Sequence, residues 1–286
     1  MRLLITIPHY WHAASEQGQR RHGATSGDVE FRRRAFRQCL LSLHRHFGSA
    51  QYVMQLASGR TRPANTRLKT LLHVVVCTTG GRHLLDGSGV APEFYHHHAT
   101  RAEPMRLGFE CHKVLRDRWG NYDYYGYLED DLIVHDPSLF LKLNWFQGFA
   151  GPDTLLLPNR YEGGTEPLVN KAYVDGDLPE HLTAGFQDVH DRPEITGAWL
   201  DVPVIFRRPL NPHSGCFFLT GEQLAHWMKQ PYFLDGETSF VGPLESAATL
   251  GIQRTFRIYK PAVENGSFLE IEHFGSRFLS KLRRDS

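Results

Sequence analysis

The chain has 286 residues, a mass of 32.7 kDa and a formal net charge of +1 from 32 basic and 31 acidic side chains. Hydrophobic residues make up 41% and charged residues 22% of the sequence, which excludes a fibrous or largely disordered protein. The charge balance excludes a global field that would attract nucleic acid or anionic membranes. No apolar run reaches the ~18 residues that span a bilayer, and the N-terminal apolar run is too short for a signal sequence. We therefore expect a cytoplasmic protein.

The first half of the sequence alternates between apolar strand patterns and amphipathic helix patterns. Strands are predicted at residues 2–7, 73–78, 124–128 and 155–157. Helices are predicted from an Asp28 cap to Phe47, over 105–119 and over 137–143. Residues 11–27 and 82–104 are expected to be loops, the second of which contains the triplet His96-His97-His98. This alternation predicts an α/β fold with a mostly parallel sheet.

The second half is more mixed. Strands are predicted at 216–219, 254–259 and 268–271, and helices at 221–228 and 242–250. Residues 163–212 show no clear period. We expect one domain over 1–286, in two halves at 1–150 and 151–286.

Two groups of polar residues have ordinary structural interpretations. The four cysteines are widely spaced within apolar runs, which predicts buried reduced thiols and neither zinc ligands nor disulfides: Cys39, Cys77, Cys111 and Cys216. Four arginines lie off the apolar stripe of the first helix and are expected on its solvated face: Arg32, Arg33, Arg37 and Arg45.

The strand at 124–128 runs directly into three carboxylates, Glu129, Asp130 and Asp131. Ligands of open α/β sheets bind beyond the carboxyl ends of the strands. Three acids at the mouth of an apolar strand repel one another, and a divalent cation would remove that cost. The competing interpretation is an acidic turn before the helix at Pro137, which accounts for Asp136 better than for the three acids.

The run from Tyr127 to Pro137 resembles the acidic motif of GT-A-fold glycosyltransferases, and in particular the Glu-Asp-Asp form of the Golgi N-acetylglucosaminyltransferases. The resemblance implies a GT-A-like, Rossmann-type domain with a mostly parallel central sheet, helices on both faces and a mixed C-terminal half. It also implies a nucleotide-diphospho sugar, with uridine as the expected base, and Mn²⁺ or Mg²⁺. Asp131 would ligate the cation, while Glu129 and Asp130 would contact the ribose or the donor sugar.

Further positions agree with this resemblance in their order along the chain. Pro8, His9 and Tyr10 correspond to the strand end at which the base pocket begins, although proline also stops strands. Arg106 opens a helix where a phosphate would lie, although a plain surface arginine is the competing and favoured interpretation. His273 corresponds to a late histidine that completes the metal site in many such enzymes.

In inverting members of the family, an acid near the start of a late helix removes the proton of the acceptor hydroxyl. Glu245 takes that place, with Asp235 and Glu237 as rivals upstream. A first-turn acid that complements the helix dipole is a compatible structural interpretation.

The resulting hypothesis is a metal-dependent, inverting glycosyltransferase, with a glycan, lipid-linked or protein acceptor. The alternatives are a nucleotidyltransferase and a non-catalytic nucleotide-sugar-binding protein. A nucleotidyltransferase is expected to carry a Gly-rich basic loop after the first strand, where this chain has Arg20, Arg21 and scattered glycines. No nucleic-acid partner is expected, and at most peripheral membrane contact, for which Lys281, Arg283 and Arg284 are candidates beside a plain solvated helix end.

Overall fold

A computed structural model of the chain describes residues 1–12, 28–67, 69–166 and 169–281. Most of the expected loop 11–27, with Arg20 and Arg21, lies outside the described residues, as do Arg283 and Arg284. Among the helices of the described residues, none has the length and apolar character needed to cross a membrane.

The structure contains fifteen strands and six helical segments within these residues. The strands are β1 Arg2–Pro8, β2 Tyr52–Gln55, β3 Arg60–Pro63, β4 Leu71–Thr79, β5 His96–Thr100, β6 Tyr124–Leu128, β7 Leu132–Ile133, β8 Thr154–Leu156, β9 Asn159–Glu166, β10 Val169–Tyr173, β11 Glu194–Trp199, β12 Val202–Arg207, β13 Cys216–Thr220, β14 Arg257–Pro261 and β15 Glu270–His273. The helices are α1 Val29–Phe47, α2 Leu107–Asp117, α3 Leu139–Ala150, α4 Gly221–Met228, α5 Pro243–Glu245 and α6 Gly251–Thr255, with a π-helical stretch, Ser246–Leu250, joining the last two.

The central sheet has the strand order β13-β6-β1-β4-β5. Strands β1, β4, β5 and β6 are parallel, and β13 is antiparallel to β6. The expected mostly parallel α/β sheet is therefore confirmed. Its edge strand β13 comes from the second half of the chain, so that half contributes to the same sheet.

Helices cover both faces of this sheet, as expected. Successive side chains of a strand point to opposite faces, and Leu3, Ile5 and Ile7 of β1 pack in one apolar cluster with α1 and α3. Leu4 packs in the other cluster, with α2 and α4. Because β1 is buried on both faces, its sequence from Leu3 to Ile7 is apolar apart from Thr6.

The structure confirms the first-helix prediction at both ends. The Asp28 side chain accepts the N–H of Glu30 at 3.0 Å, and α1 ends at Phe47 before the Gly48 cap. The expectation of a solvated arginine face is wrong for Arg32, which is buried because it reaches the carboxylates that follow β6.

The loop prediction is wrong at the histidine triplet. His96, His97 and His98 form most of β5, which pairs in parallel with Val75 to Thr79 of β4. Their side chains are exposed, so no apolar pattern marked this edge strand. The four cysteines are buried and free, as expected.

The less readable C-terminal half forms two four-stranded sheets, of order β10-β9-β15-β7 and β11-β12-β14-β8. The first of these places β15 beside β7, the short strand that follows the acidic run. This pairing brings His273 next to the Glu-Asp-Asp motif from 142 residues further along the chain, measured from Asp131.

Candidate active site

A cavity of about 330 Å³ opens beyond the carboxyl ends of β1 and β6. Seven of the residues singled out in the sequence line it: Pro8, Tyr10, Glu129, Asp130, Asp131, Glu245 and His273. Two others lie elsewhere. His9 is fully buried beneath the cavity, and Arg106 is exposed beside Gly236, on the outer side of the α2 N-terminus.

Asp130 is held by two buried side chains. Arg32 donates from Nη2 to its Oδ1 at 2.6 Å, and His9 Nδ1 lies 2.6 Å from its Oδ2. The backbone N–H of Leu84 donates to His9 Nε2 at 3.0 Å, so the ring proton is on Nδ1 and is donated to Asp130. Burial opposes ionisation of Asp130, but the charge of Arg32 and the His9 hydrogen bond prevail and lower its pKa to about 2.

Asp131 lies where two basic groups converge. Arg32 Nη1 donates to Asp131 Oδ2 at 3.0 Å, and His273 Nε2 lies 3.8 Å from the same oxygen. The other ring nitrogen of His273, Nδ1, lies 2.8 Å from Oε1 of Glu162. Because a carboxylate accepts, Nδ1 carries a proton, and Nε2 is the ring atom that faces Asp131.

These atoms fit a hard divalent cation. A carboxylate oxygen and an imidazole nitrogen, with the second ring nitrogen held by a carboxylate, form a common metal-binding arrangement. In the part of the chain that the structure describes, no group of three or more His, Cys, Asp or Glu side chains is arranged to hold a metal. A cation here would therefore have two protein ligands and would take its remaining ligands from phosphate and water.

Glu129 lies deeper in the same cavity, with a carboxylate that makes no hydrogen bond to a described residue. Its Oε2 lies 3.6 Å from Arg160 Nη1, and its Oε1 lies 4.0 Å from His213 Nε2. Burial raises the pKa of Glu129 to about 8, against the attraction of Arg160 and with added repulsion from Asp131 and Glu245. Near neutral pH this group is therefore able to donate as well as accept a hydrogen bond.

Arg160 and Lys260 share a buried acid behind Glu129. Arg160 donates to Asp175 at 2.6 Å, and Lys260 Nζ lies 3.5 Å from the same carboxylate. His213 lines the cavity next to these groups, and burial together with the charge of Arg160 lowers its pKa to about 3. His213 is therefore neutral at the cavity wall.

Glu245 also lines the cavity, close enough to Glu129 for its charge to raise the pKa of that group. It ends α5, and the π-helical stretch that follows packs tightly on α2: a Cβ on Gly108 would lie 2.4 Å from Ala247 Cβ. Single π-turns inside helices are frequent at functional sites. The rivals Asp235 and Glu237 lie outside the cavity lining and accept backbone N–H groups of their own turn.

The rest of the lining combines an apolar wall with a C-terminal segment. Pro104, Met105 and Leu107 continue the wall that Pro8 and Tyr10 begin. Across from them lie Arg277 and Phe278, also in the lining. The ring of Tyr10, which lines the cavity together with Pro8 and Pro104, suits stacking with a planar base.

Glu162 fixes this C-terminal segment. The fully buried carboxylate accepts the N–H groups of Phe278 at 2.9 Å and Leu279 at 2.7 Å, in addition to its bond to His273. One carboxylate of β9 thus orients a candidate metal ligand and holds the backbone that carries Arg277 and Phe278.

Sequence reasoning missed five polar residues in or behind the cavity wall: Arg32, Arg160, Glu162, His213 and Arg277. The buried position of Arg32 could have been predicted, because it lies three residues before Ala35 on the buried side of the helix and directly after Phe31 at the helix start. The others flank or follow the segment 163–212, which lacks a clear period, and the pairing of β9 with β15 brings Arg160 and Glu162 to the cavity.

No family model and no curated protein matches the chain. A solved structure that matches is CMP:2-keto-3-deoxy-manno-octonic acid synthetase complexed with CTP, with 11% identity, a TM-score of 0.33, and coverage of 91% of this chain and 90% of that chain. This likeness concerns the fold alone.

Proposed function

We propose that the chain is a divalent-cation-dependent transferase that moves a sugar from a nucleotide-diphospho sugar to an acceptor hydroxyl, with inversion. The observation that carries this proposal is the convergence of Asp131 and His273 in a cavity at the carboxyl end of a parallel sheet. Such a pair, supported by a buried carboxylate and flanked by arginines, suits a cation that also binds phosphate.

In this proposal Asp131 and His273 hold Mn²⁺ or Mg²⁺, which when bound neutralises charge on the departing diphosphate. Glu162 keeps the His273 proton on Nδ1, so that Nε2 is available as a ligand. Arg32 lowers the pKa of Asp130 and holds the carboxylates of Asp130 and Asp131 in place.

The donor would lie between the apolar wall and the acidic motif. Tyr10 and Pro8 would contact the base, for which uridine is the expectation from the family resemblance. Glu129 has free hydrogen-bonding capacity in the cavity and would contact the donor sugar. Asp130, oriented by Arg32 and His9, would accept from a ribose or sugar hydroxyl.

Glu245 would serve as the general base. The acceptor oxygen forms a bond to the anomeric carbon, the bond from that carbon to the phosphate oxygen breaks, and the acceptor proton passes to the Glu245 carboxylate. A single displacement of this kind inverts the configuration at the anomeric carbon.

The test compares the turnover of UDP-sugars by Glu245→Gln with that by Glu237→Gln, measured as the release of UDP. Loss of a general base lowers the rate by about 10²–10⁴-fold. We expect that loss for Glu245→Gln, with UDP affinity retained, and no more than a small change for the control Glu237→Gln. Equal turnover of the two variants would remove Glu245 from this role.

Nucleotidyl transfer is the second candidate, and Arg277 is the observation that favours it. This side chain lines the cavity and forms no ion pair with any residue in the described ranges, which suits a third phosphate. Release of pyrophosphate from a nucleoside triphosphate and a sugar, without turnover of UDP-sugars, would identify this reaction. Binding of nucleotide without either turnover would indicate a non-catalytic nucleotide-sugar-binding protein.

A further inference from the structure

A two-stranded hairpin of β2 and β3 projects from the end of the sheet opposite the cavity. It connects the C-terminus of α1 to the N-terminus of β4, whereas the cavity lies beyond the carboxyl ends of the strands. Its two strands pair only with each other, and all eight of their residues are exposed. The base is fixed, because Ala64 donates to the Gln51 carbonyl at 2.8 Å and the Gln51 side chain donates to Gly48 at 3.0 Å.

The hairpin has one apolar face and one basic face. Directly paired residues of an antiparallel ladder share a face, so Tyr52 and Met54 lie together with their partners Pro63 and Thr61. The exposed fractions are 60% for Tyr52 and 65% for Met54, and Leu56 at the turn is 87% exposed. Water therefore contacts large apolar side chains along this face and at the turn, which is typical of an interaction surface.

Positive charge surrounds these apolar side chains. Arg60 and Arg62 occupy the second face, and Arg67 and Lys69 follow on the way to β4. No Asp or Glu occurs between Glu30 and Asp86 in the sequence. Within the described residues none of these four basic side chains takes part in an ion pair, so their charge is available to an anionic partner.

We propose that this hairpin is a peripheral membrane-binding element that takes an anionic lipid surface. Arginine and lysine would contact lipid headgroups, and Met54, Leu56 and Tyr52 would enter the boundary between headgroups and acyl chains. A polyanion such as RNA would satisfy the charges but leave the exposed methionine and leucine in water, so the observations favour lipid. The cavity at the other end of the sheet would then face the aqueous phase. This inference is independent of the proposed function.

The test measures sedimentation of the full chain with vesicles of phosphatidylcholine, and with vesicles in which about one third of the lipid is phosphatidylglycerol. We expect binding to the second vesicles only, and weaker binding as salt is raised. Arg60→Gln with Arg62→Gln should lower the affinity about 30-fold, since each basic side chain near an anionic surface contributes about 1 kcal/mol. The matched control, Lys113→Gln with Arg116→Gln on α2, removes the same charge and should bind like the unaltered chain.

The apolar contribution is tested with Met54→Ser and Leu56→Ser together. We expect affinity for the anionic vesicles to fall about tenfold or more, because burial of such side chains contributes about 1.5–3 kcal/mol each when complete. Val263→Ser, at an apolar position that is 82% exposed elsewhere, is the control and should have no effect. Circular dichroism of each variant checks that it folds.

Insertion is measured directly with an environment-sensitive fluorophore on Leu56→Cys, since the four native cysteines are buried. A blue shift with anionic vesicles supports the proposal. An unchanged spectrum, or affinity that depends on the arginines but not on Met54 and Leu56, would overturn lipid insertion in favour of a purely electrostatic partner. A dimer that dissociates on Met54→Ser with Leu56→Ser, without vesicle binding, would assign the face to a second copy of the chain.

Discussion

Glu162 is the residue whose replacement should most clearly separate this site from an ordinary surface cleft. Its carboxylate is 0% exposed and accepts from His273 Nδ1, Phe278 N and Leu279 N. Glu162→Gln keeps the size of the side chain but turns one accepting oxygen into an amide donor. At least one of the three N–H donors that bonded to the carboxylate then faces the N–H group of the new amide.

The expected effect follows from the number of bonds changed. Hydrogen bonds to a charged group contribute about 1.5–3 kcal/mol, and neutral ones about 0.5–1.5 kcal/mol. Exchanging three charge-assisted bonds for two neutral ones, with a buried donor left unpaired, should lower the free energy of unfolding by about 2–4 kcal/mol. Urea denaturation measures this change, and amide exchange of Phe278 and Leu279 should become faster.

The same substitution should weaken cation binding, because replacement of a residue that orients a metal ligand costs about 10–100-fold in affinity. Titration of Mn²⁺ by electron paramagnetic resonance measures it without any substrate. Glu264→Gln, at an exposed glutamate paired with Arg207, is the control and should change stability by no more than about 0.5 kcal/mol. Unchanged Mn²⁺ affinity and unchanged amide exchange in Glu162→Gln would refute the role given to this carboxylate.

Two further predictions concern stability. Because the pKa of Asp130 is lowered from 3.8 to about 2, its contribution to stability is present above about pH 4 and is lost as pH falls from about 4 to about 2. Urea denaturation should therefore show that acid lowers the free energy of unfolding by about 2 kcal/mol more in the unaltered chain than in Asp130→Asn. Equal acid dependence of the two chains would contradict this prediction. Gly108→Val adds a side chain where even a Cβ would lie 2.4 Å from Ala247 Cβ, so thermal denaturation should show a loss of stability of about 1–3 kcal/mol. Gly148→Val is the control at an open position, and its stability should fall by no more than the cost of a β-branched residue in a helix.

The sequence predicted the elements that are fully buried or clearly amphipathic. The strand at 124–128 and the helix at 221–228 match β6 and α4 at both ends, because a continuous apolar run and a capped helix each have a local signature. The edge strand β5 lacked one, since its exposed histidines resemble a loop. Helix α3 runs to Ala150, seven residues beyond its predicted end, because tertiary packing of Phe146 and Ala150 extends it.

The acidic motif of the candidate site was visible in the sequence, and its supporting shell was not. Glu129, Asp130 and Asp131 are consecutive, so local pattern alone predicts their shared location. Arg160 and Glu162 alternate with the half-buried Asn159 and Tyr161 on β9, and their role depends on the pairing of β9 with β15. Such long-range register has no counterpart in a local sequence pattern.

The measurement that tests the central claim most directly is calorimetric binding of UDP, GDP and CMP with and without Mn²⁺. The chains to compare are the unaltered protein, Asp131→Ala, Asp131→Asn, which keeps an oxygen for Arg32, and the exposed control Asp177→Ala. We predict that one nucleoside diphosphate binds in a Mn²⁺-dependent manner to the unaltered chain and to the control, and to neither Asp131 variant. Nucleotide binding that is independent of Mn²⁺ and of Asp131, or no binding of any nucleotide under any condition, would contradict a cation-dependent nucleotide site.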